Sequence, residues 1–368
     1  MGIHDLVQAP QNAITRLLLS FHEANRTPDM VLRRAMRSSL SAWLNECYKP
    51  SYQAQISDLL SFAHSLESMP MSTVADEANS QQYELPTEFF ELMLGKYLKY
   101  SCNYFVDNSA TLDDAEEAML ELYCERAQIK DGHTILDLGC GWGSLCLYIA
   151  QKYKNCKITG ISYSKTQKAY VDQLCRDRML DNVEIVFADI CTYETEATFD
   201  RIFAVELLED MRNYKALLKM ISKWMKEDGL LFVHHCGHKA FSYYFEETNK
   251  ETNISLSETN AREWVGRYFF TGGTLPSANT LLYFQEDVSI VDQWIVSGNH
   301  FARTCKEWLK RMDNNLGNIK PMIQRVYGED STIKWTAYWR SFLLFLQEMY
   351  GFNNGEEWMI THVLFKKK

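Results

Sequence analysis

The segment that most constrains this chain is Ile135-Leu136-Asp137-Leu138-Gly139-Cys140-Gly141-Trp142-Gly143. An apolar run ends in an acid, turns through glycines and leads into a helical pattern. That order belongs to a strand–turn–helix unit in a sheet covered by helices, where ligands sit at the carboxyl ends of the strands. Gly139 and Gly141 let the backbone turn tightly and approach a ligand, and the turn aims N–H groups at a carboxylate. A dinucleotide fold would want G-x-G-x-x-G, but Ser144 stands where the last glycine belongs. With Leu-Asp-Leu before the turn, the expected ligand is S-adenosylmethionine.

The surrounding pattern agrees. Short β-rich runs at Thr134–Leu138, Lys157–Ile161, Val183–Phe187, Arg201–Val205 and Leu230–Val233 alternate with helical spacing at Leu145–Lys152, Lys165–Arg178 and Tyr214–Met225. Helices are expected at Asn12–His22, Met30–Trp43 and Ile56–Leu66. Later come strands at Leu281–Phe284 and Val288–Val291, helices at Trp308–Leu316 and Trp335–Tyr350, and an edge strand at Trp358–Phe365. Asn249–Asn260 is polar and reads as an insertion. The expected division is a helical extension over 1–112, a Rossmann-like core over 113–238, a cap with insertion and helices over 239–350, and a closing strand over 351–368.

Composition narrows the partners. A net charge of −10 with no basic block argues against nucleic acid. The ten cysteines show no CxxC spacing, so no metal is expected. No charged-then-apolar leader opens the chain, and no apolar run approaches membrane-spanning length. A cytoplasmic protein with free thiols and no membrane partner is the expectation.

Other strand ends carry candidate chemistry. The second ends at Ser162, with Ser164 and Gln167 following; the serines read equally as helix caps. The third ends before Asp189 and Ile190, where an acid can accept from an adenine amino group. The fourth ends in Ala204-Val205-Glu206-Leu207-Leu208-Glu209-Asp210. If a helix begins there, Glu206, Glu209 and Asp210 share one face; such acids also serve simply as dipole partners. Neighbouring buried carboxylates suit an amine, which needs an anion to attract its ammonium form and an acceptor for its proton. His234 and His235 end the next strand, and His234 is a further candidate base.

Several stretches carry a family likeness: the glycine loop, Gly160-Ile161-Ser162-Tyr163-Ser164-Lys165-Thr166-Gln167, Tyr100-Ser101-Cys102-Asn103-Tyr104-Phe105 and Ser297-Gly298-Asn299-His300-Phe301-Ala302-Arg303-Thr304. Together they resemble the cyclopropane-fatty-acid synthase superfamily. Within it, Leu122-Tyr123-Cys124-Glu125-Arg126-Ala127-Gln128-Ile129 and Asn353-Asn354-Gly355-Glu356-Glu357-Trp358-Met359 resemble the plant coclaurine N-methyltransferases and their relatives on tetrahydroprotoberberine, pavine and phenylalkylamine substrates. The resemblance implies an α/β fold: a Rossmann-like class I methyltransferase core with a mostly parallel seven-stranded sheet, helices on both faces, a helical amino-terminal extension and a helical cap. It implies a cofactor site of Tyr100, Ser101, Gly139, Gly141, Ser162, Gln167 and Asp189, to which Asp137, Ser164, Ile190 and Val205 are added from the same strand ends. It also implies an amine pocket from Tyr83, Glu84, Tyr104, Phe270, Tyr338, Trp339 and Phe342, and is compatible with a homodimer.

One position departs from the pattern: where the relatives carry a histidine taken as general base, this chain has Asp210. The expected reaction is methyl transfer from S-adenosylmethionine to a small aromatic amine in plant alkaloid biosynthesis, leaving S-adenosylhomocysteine. Two rivals stand beside it. Cyclopropane synthases hold a bicarbonate with Cys, Glu and His, which Cys102, Glu209 and His234 roughly match. A catalytically degenerate scaffold is the other.

Overall fold

Short β-rich runs whose consecutive residues are apolar give each strand two buried faces, so helices must cover both. In the computed structural model, which describes residues 20–72, 85–245 and 261–368, they do. In chain order the helices are α1 (Asp29–Cys47), α2 (Tyr52–Glu67), α3 (Thr87–Met93), α4 (Leu112–Arg126), α5 (Ser144–Lys152), α6 (Lys165–Asp177), α7 (Tyr214–Trp224), α8 (Ala261–Tyr268), α9 (Gly298–Asn314), α10 (Leu316–Tyr327) and α11 (Thr332–Tyr350). The strands are β1 (Thr134–Leu138), β2 (Lys157–Ser162), β3 (Val183–Phe187), β4 (Phe199–Val205), β5 (Met225–His238), the short pair β6 (Tyr243–Tyr244) and β7 (Thr274–Leu275), then β8 (Val288–Val296) and β9 (Trp358–Lys367).

Seven strands form one sheet in the order β3-β2-β1-β4-β5-β9-β8. The first five run parallel, while β9 runs antiparallel to both β5 and β8. Side chains alternate between two cores as a period of two requires. Ile135, Phe203 and Phe232 join α4, α5, α9 and α11 on one face. Leu136, Leu138, Ile202 and Leu231 join α2 and α7 on the other. Each such fully buried aliphatic contributes about 1.5–3 kcal/mol.

The amino-terminal helices divide between these faces. Helix α1 packs on α11, where Arg33 and Arg37 both pair with the buried Glu348. Helix α2 lies on the opposite face against α7. The helix expected at Asn12–His22 falls mostly outside the described residues, as does all of Asn249–Asn260.

Four expectations need correction. Trp358–Phe365 is not an edge: β9 is buried along nearly its whole length and sits between β5 and β8. The edge is β8, whose Val291 and Ile295 are exposed. Leu281–Phe284 is not a strand, because Phe284 N–H bonds locally to Leu281 and both side chains drop into the core, closing a 3-10 turn at Thr280–Tyr283. The helix expected at Trp308–Leu316 begins much earlier, at Gly298. Ser297 caps it by accepting the Asn299 N–H, and Phe301, Cys305, Trp308, Leu309 and Met312 continue its buried face. Finally, no α-helix begins at Glu206, for reasons that belong to the site.

Candidate active site

The loop after β1 is built by backbone conformations that favour glycine. Gly139, Gly141 and Gly143 have φ of 72°, 54° and 75°. Cys140 N–H bonds to Ile161 O at 2.8 Å, holding the loop against β2. A Cβ on Gly141 would meet nothing within 4 Å. The loop therefore presents open space above its backbone, the cradle a ligand carboxylate and ribose need. Asp137 is buried beside it, accepts from the Cys146 thiol, and is pushed up to about 7 by loss of water.

At the end of β2 the Ser162 hydroxyl donates to Gln167 Oε1 at 2.9 Å, fixing that amide. Ser164 caps α6 by accepting the Gln167 N–H.

The acids after β4 are brought together by a bend rather than a helix. Glu206 has φ of 49°, a left-handed conformation that costs a non-glycine residue about 1 kcal/mol or more. Its N–H bonds to His234 O at 2.8 Å, and a 3-10 turn at Leu208–Asp210 follows. Glu206 Oε1 accepts from Cys102 N–H at 2.8 Å and lies 3.1 Å from His234 Nε2. One Glu209 oxygen, Oε1, accepts the Cys236 N–H, while its Oε2 is buried with no hydrogen-bond partner.

Burial pushes all three acids upward. Glu206 is raised by lost hydration and partly restrained by Lys99 and the Cys102 N–H. Glu209 is raised further, by burial and then by the Glu206 charge. Asp210 is raised to about 7 by the same two causes. Such a cluster holds a proton near neutrality and gains by meeting a cation.

These groups line one cavity of about 1240 Å³, counting its open mouth. Tyr100, Ser101, Asp137, Gly139, Gly141, Gln167 and Val205 line one part, and Glu206, Glu209 and Asp210 stand in its wall. Phe270 and Phe342 line an apolar part shared with Phe245, Phe301, Met349 and Tyr350.

Several candidates lie off this wall. Ser162 and Ser164 support Gln167 from behind. Asp189 Oδ1 accepts the Cys191 N–H, and Ile190 is buried in the core. Tyr104 stacks on His300, Tyr338 bonds Glu23 and stacks on His22, and Trp339 packs between Phe89 and Phe269. Of Cys102, Glu209 and His234, Glu209 alone is on the wall; His234 is fully buried behind Glu206. Tyr83 and Glu84 lie outside the described residues.

Sequence reasoning missed Lys99. Its side chain is 1% exposed on average yet reaches the cavity, with Nζ 2.5 Å from Ser101 Oγ and Cys102 O. Burial lowers it to about 8. The one available signal was a lysine between Leu98 and Tyr100, directly before a motif already singled out. Among the described residues no group of His, Cys, Asp and Glu is arranged to hold a metal ion, and no helix is long and apolar enough to cross a membrane.

A family model described as mycolic acid cyclopropane synthetase matches residues 71–350. The chain is 47% identical over 372 residues to (S)-coclaurine N-methyltransferase of Thalictrum flavum subsp. glaucum, covering 100% of both. It is 47% identical over 354 residues to (S)-coclaurine N-methyltransferase of Papaver somniferum, covering 95% of this chain and 98% of that one. The crystal structure of a coclaurine N-methyltransferase bound to N-methylheliamine and SAH superposes with a TM-score of 0.90 at 47% identity, over 96% of this chain and 100% of that one.

Proposed function

The chain belongs to the mycolic acid cyclopropane synthetase family, in its coclaurine N-methyltransferase branch, and we propose that it methylates the nitrogen of a small aromatic amine of the tetrahydroisoquinoline, benzylisoquinoline or phenylalkylamine type in plant alkaloid biosynthesis. It is an S-adenosylmethionine-dependent amine N-methyltransferase. The observation that carries the substrate reading is the position of Glu206, Glu209 and Asp210, on one cavity wall with both the glycine loop and an aromatic lining.

When bound, S-adenosylmethionine supplies a methyl group on a sulfonium. The glycine loop, with Tyr100, Ser101, Asp137 and Gln167, would hold it. The chain's remaining work concerns the amine. An alkylammonium, like a lysine side chain near 10.4 in water, has no lone pair until it loses a proton. Glu209 Oε2 is buried and unpartnered, so it is the atom of the cluster that an N–H would satisfy. Glu206 and Asp210 add negative charge beside it and take up the proton. Phe270 and Phe342 offer faces to an aromatic ring and to the cation. In-line placement of nitrogen against methyl supplies much of the remaining acceleration.

The test is transfer of labelled methyl to a panel of phenylalkylamines, tetrahydroisoquinolines, coclaurine-like amines and an unsaturated phospholipid. Label on an amine is the expected result. Label on the phospholipid would overturn the substrate reading, and label on nothing would favour a scaffold.

A further inference from the structure

Behind Glu206 a line of polar side chains leaves the cavity and runs across the sheet. His234 Nε2 faces Glu206 Oε1 at 3.1 Å. His234 Nδ1 meets His362 Nε2 at 2.9 Å; the two are register partners on β5 and β9. His362 Nδ1 in turn meets Arg126 Nη1 at 2.5 Å. Arg126 ends α4 and lies over the Trp294 ring, 4.9 Å from its centroid, beside the sheet edge. Both histidines are fully buried, and only Glu206 of this line reaches the cavity.

The direction of every bond follows from one end. A guanidinium only donates. His362 Nδ1 must therefore accept, which puts the proton of a neutral ring on Nε2. That proton goes to His234 Nδ1, so the proton of His234 is on Nε2, facing Glu206. The Tyr123 OH lies 2.9 Å from the same Nδ1, but that nitrogen has a single lone pair; with His362 Nε2–H donating into it, the Tyr123 hydroxyl is left to Ser101, which Lys99 Nζ holds at 2.5 Å. Burial holds both imidazoles well below the usual histidine range and therefore neutral.

We propose that Arg126 and His362 are positioning residues of the methyl transfer: they lock His234 as its Nε2–H tautomer, so that it gives Glu206 a fixed hydrogen bond instead of acting as a base. The proposal rests on Glu206 belonging to the amine-binding cluster. The partner groups facing Glu206 are Lys99, Cys102, Tyr123, Cys236, Cys305, Tyr350, Glu209 and Asp210. Lys99 is the cation among them, and the Cys102 N–H and the Cys236 side chain are the other hydrogen-bond partners of the carboxylate beside the imidazole. Losing the imidazole donor destabilises the carboxylate form and moves the Glu206 ionisation upward.

Two measurements test this. Nitrogen-15 NMR of histidine-labelled protein, without substrate, reads the tautomers directly; both His234 and His362 are expected as Nε2–H. The pH profile of kcat reads the consequence. In a Tyr123→Phe background, which removes the hydroxyl able to donate to His234 Nδ1 in its place, Arg126→Met is expected to move the acidic limb up by roughly one pH unit, tenfold in ionisation, with KM for S-adenosylmethionine within about twofold. Arg126→Lys in that background, also donor-only, restores the limb. His234→Gln, which keeps a donor near Nε2, is expected to turn over about tenfold faster than His234→Leu. An Nδ1–H form of either histidine in the wild type, a limb that Arg126→Met leaves unmoved in the Tyr123→Phe background, or equal loss in both His234 variants would overturn the proposal. If the wild type methylates no amine, the functional reading fails, and the wild-type tautomers alone then decide whether the lock exists.

Discussion

Glu209 and Cys236 are joined by a backbone N–H donated to the Glu209 Oε1 atom, which leaves the other carboxylate oxygen buried and unpartnered at the cavity. A side chain anchored at one oxygen and open at the other is suited to receive a substrate N–H. Glu209→Ala is expected to lower kcat by roughly a hundredfold or more while leaving S-adenosylhomocysteine affinity within about twofold. Steady-state kinetics and calorimetry separate the two. An unchanged turnover would remove Glu209 from the mechanism; an equal loss of cofactor affinity would make it structural.

Asp210 shows what such a cluster costs. Burial and the Glu206 charge raise it to about 7 in the folded chain, above its ordinary value of 3.8. A group raised on folding favours the native state most when protonated, and that benefit is lost as pH rises through the folded value. Asp210→Asn cannot ionise. Its melting temperature relative to wild type should therefore climb between pH 4 and about 7 and level off above. Wild-type activity should rise over the same range as Asp210 becomes able to take the amine's proton, and the variant should lack that rise. A Tm difference that is flat with pH would show that Asp210 ionises as freely folded as unfolded.

Gly143 caps α5 with φ of 75°, and a Cβ there would lie 2.7 Å from Val171. Both the backbone and the neighbour resist a side chain. Gly143→Ala is expected to cost about 2–4 kcal/mol in unfolding experiments, combining left-handed strain with overpacking. Adding Val171→Ala should recover the packing part but not the strain. If the double variant is no more stable than Gly143→Ala, the clash is not the cause.

The core was legible because its local signals and tertiary environment agree. β1 falls at Thr134–Leu138 as the pattern indicated, and its Asp and glycines lie on the cavity. Departures arise where tertiary packing overrides pattern. Trp358–Phe365 reads as any terminal strand, and nothing local says that β8 will pair outside it. Glu206, Glu209 and Asp210 were grouped through an imagined helical face; they meet instead because Glu206 takes a left-handed bend that composition does not announce. The aromatic residues of α11 could not be sorted by spacing. Phe342 reaches the cavity while Trp339, one turn earlier, is core, a difference set by how α11 rotates against α9 and α1. Lys99 was passed over because a buried lysine is rare.

Phe342 supports a last expectation about which amine is taken. It stacks parallel on Phe269, ring centroids 4.3 Å apart, and lines the cavity while Phe269 stands behind it. Removing the front ring opens the apolar wall without touching the acids. Phe342→Ala should therefore raise KM for the amine by about tenfold, the size of one aromatic contact, and change kcat much less. The loss should be larger for a one-ring phenylalkylamine, which has no second contact, than for a benzylisoquinoline, whose benzyl group can occupy the vacated space. KM for S-adenosylmethionine serves as the control. An equal loss with both amines and with the cofactor would mean that the wall has collapsed, and that Phe342 shapes the fold rather than the choice of substrate.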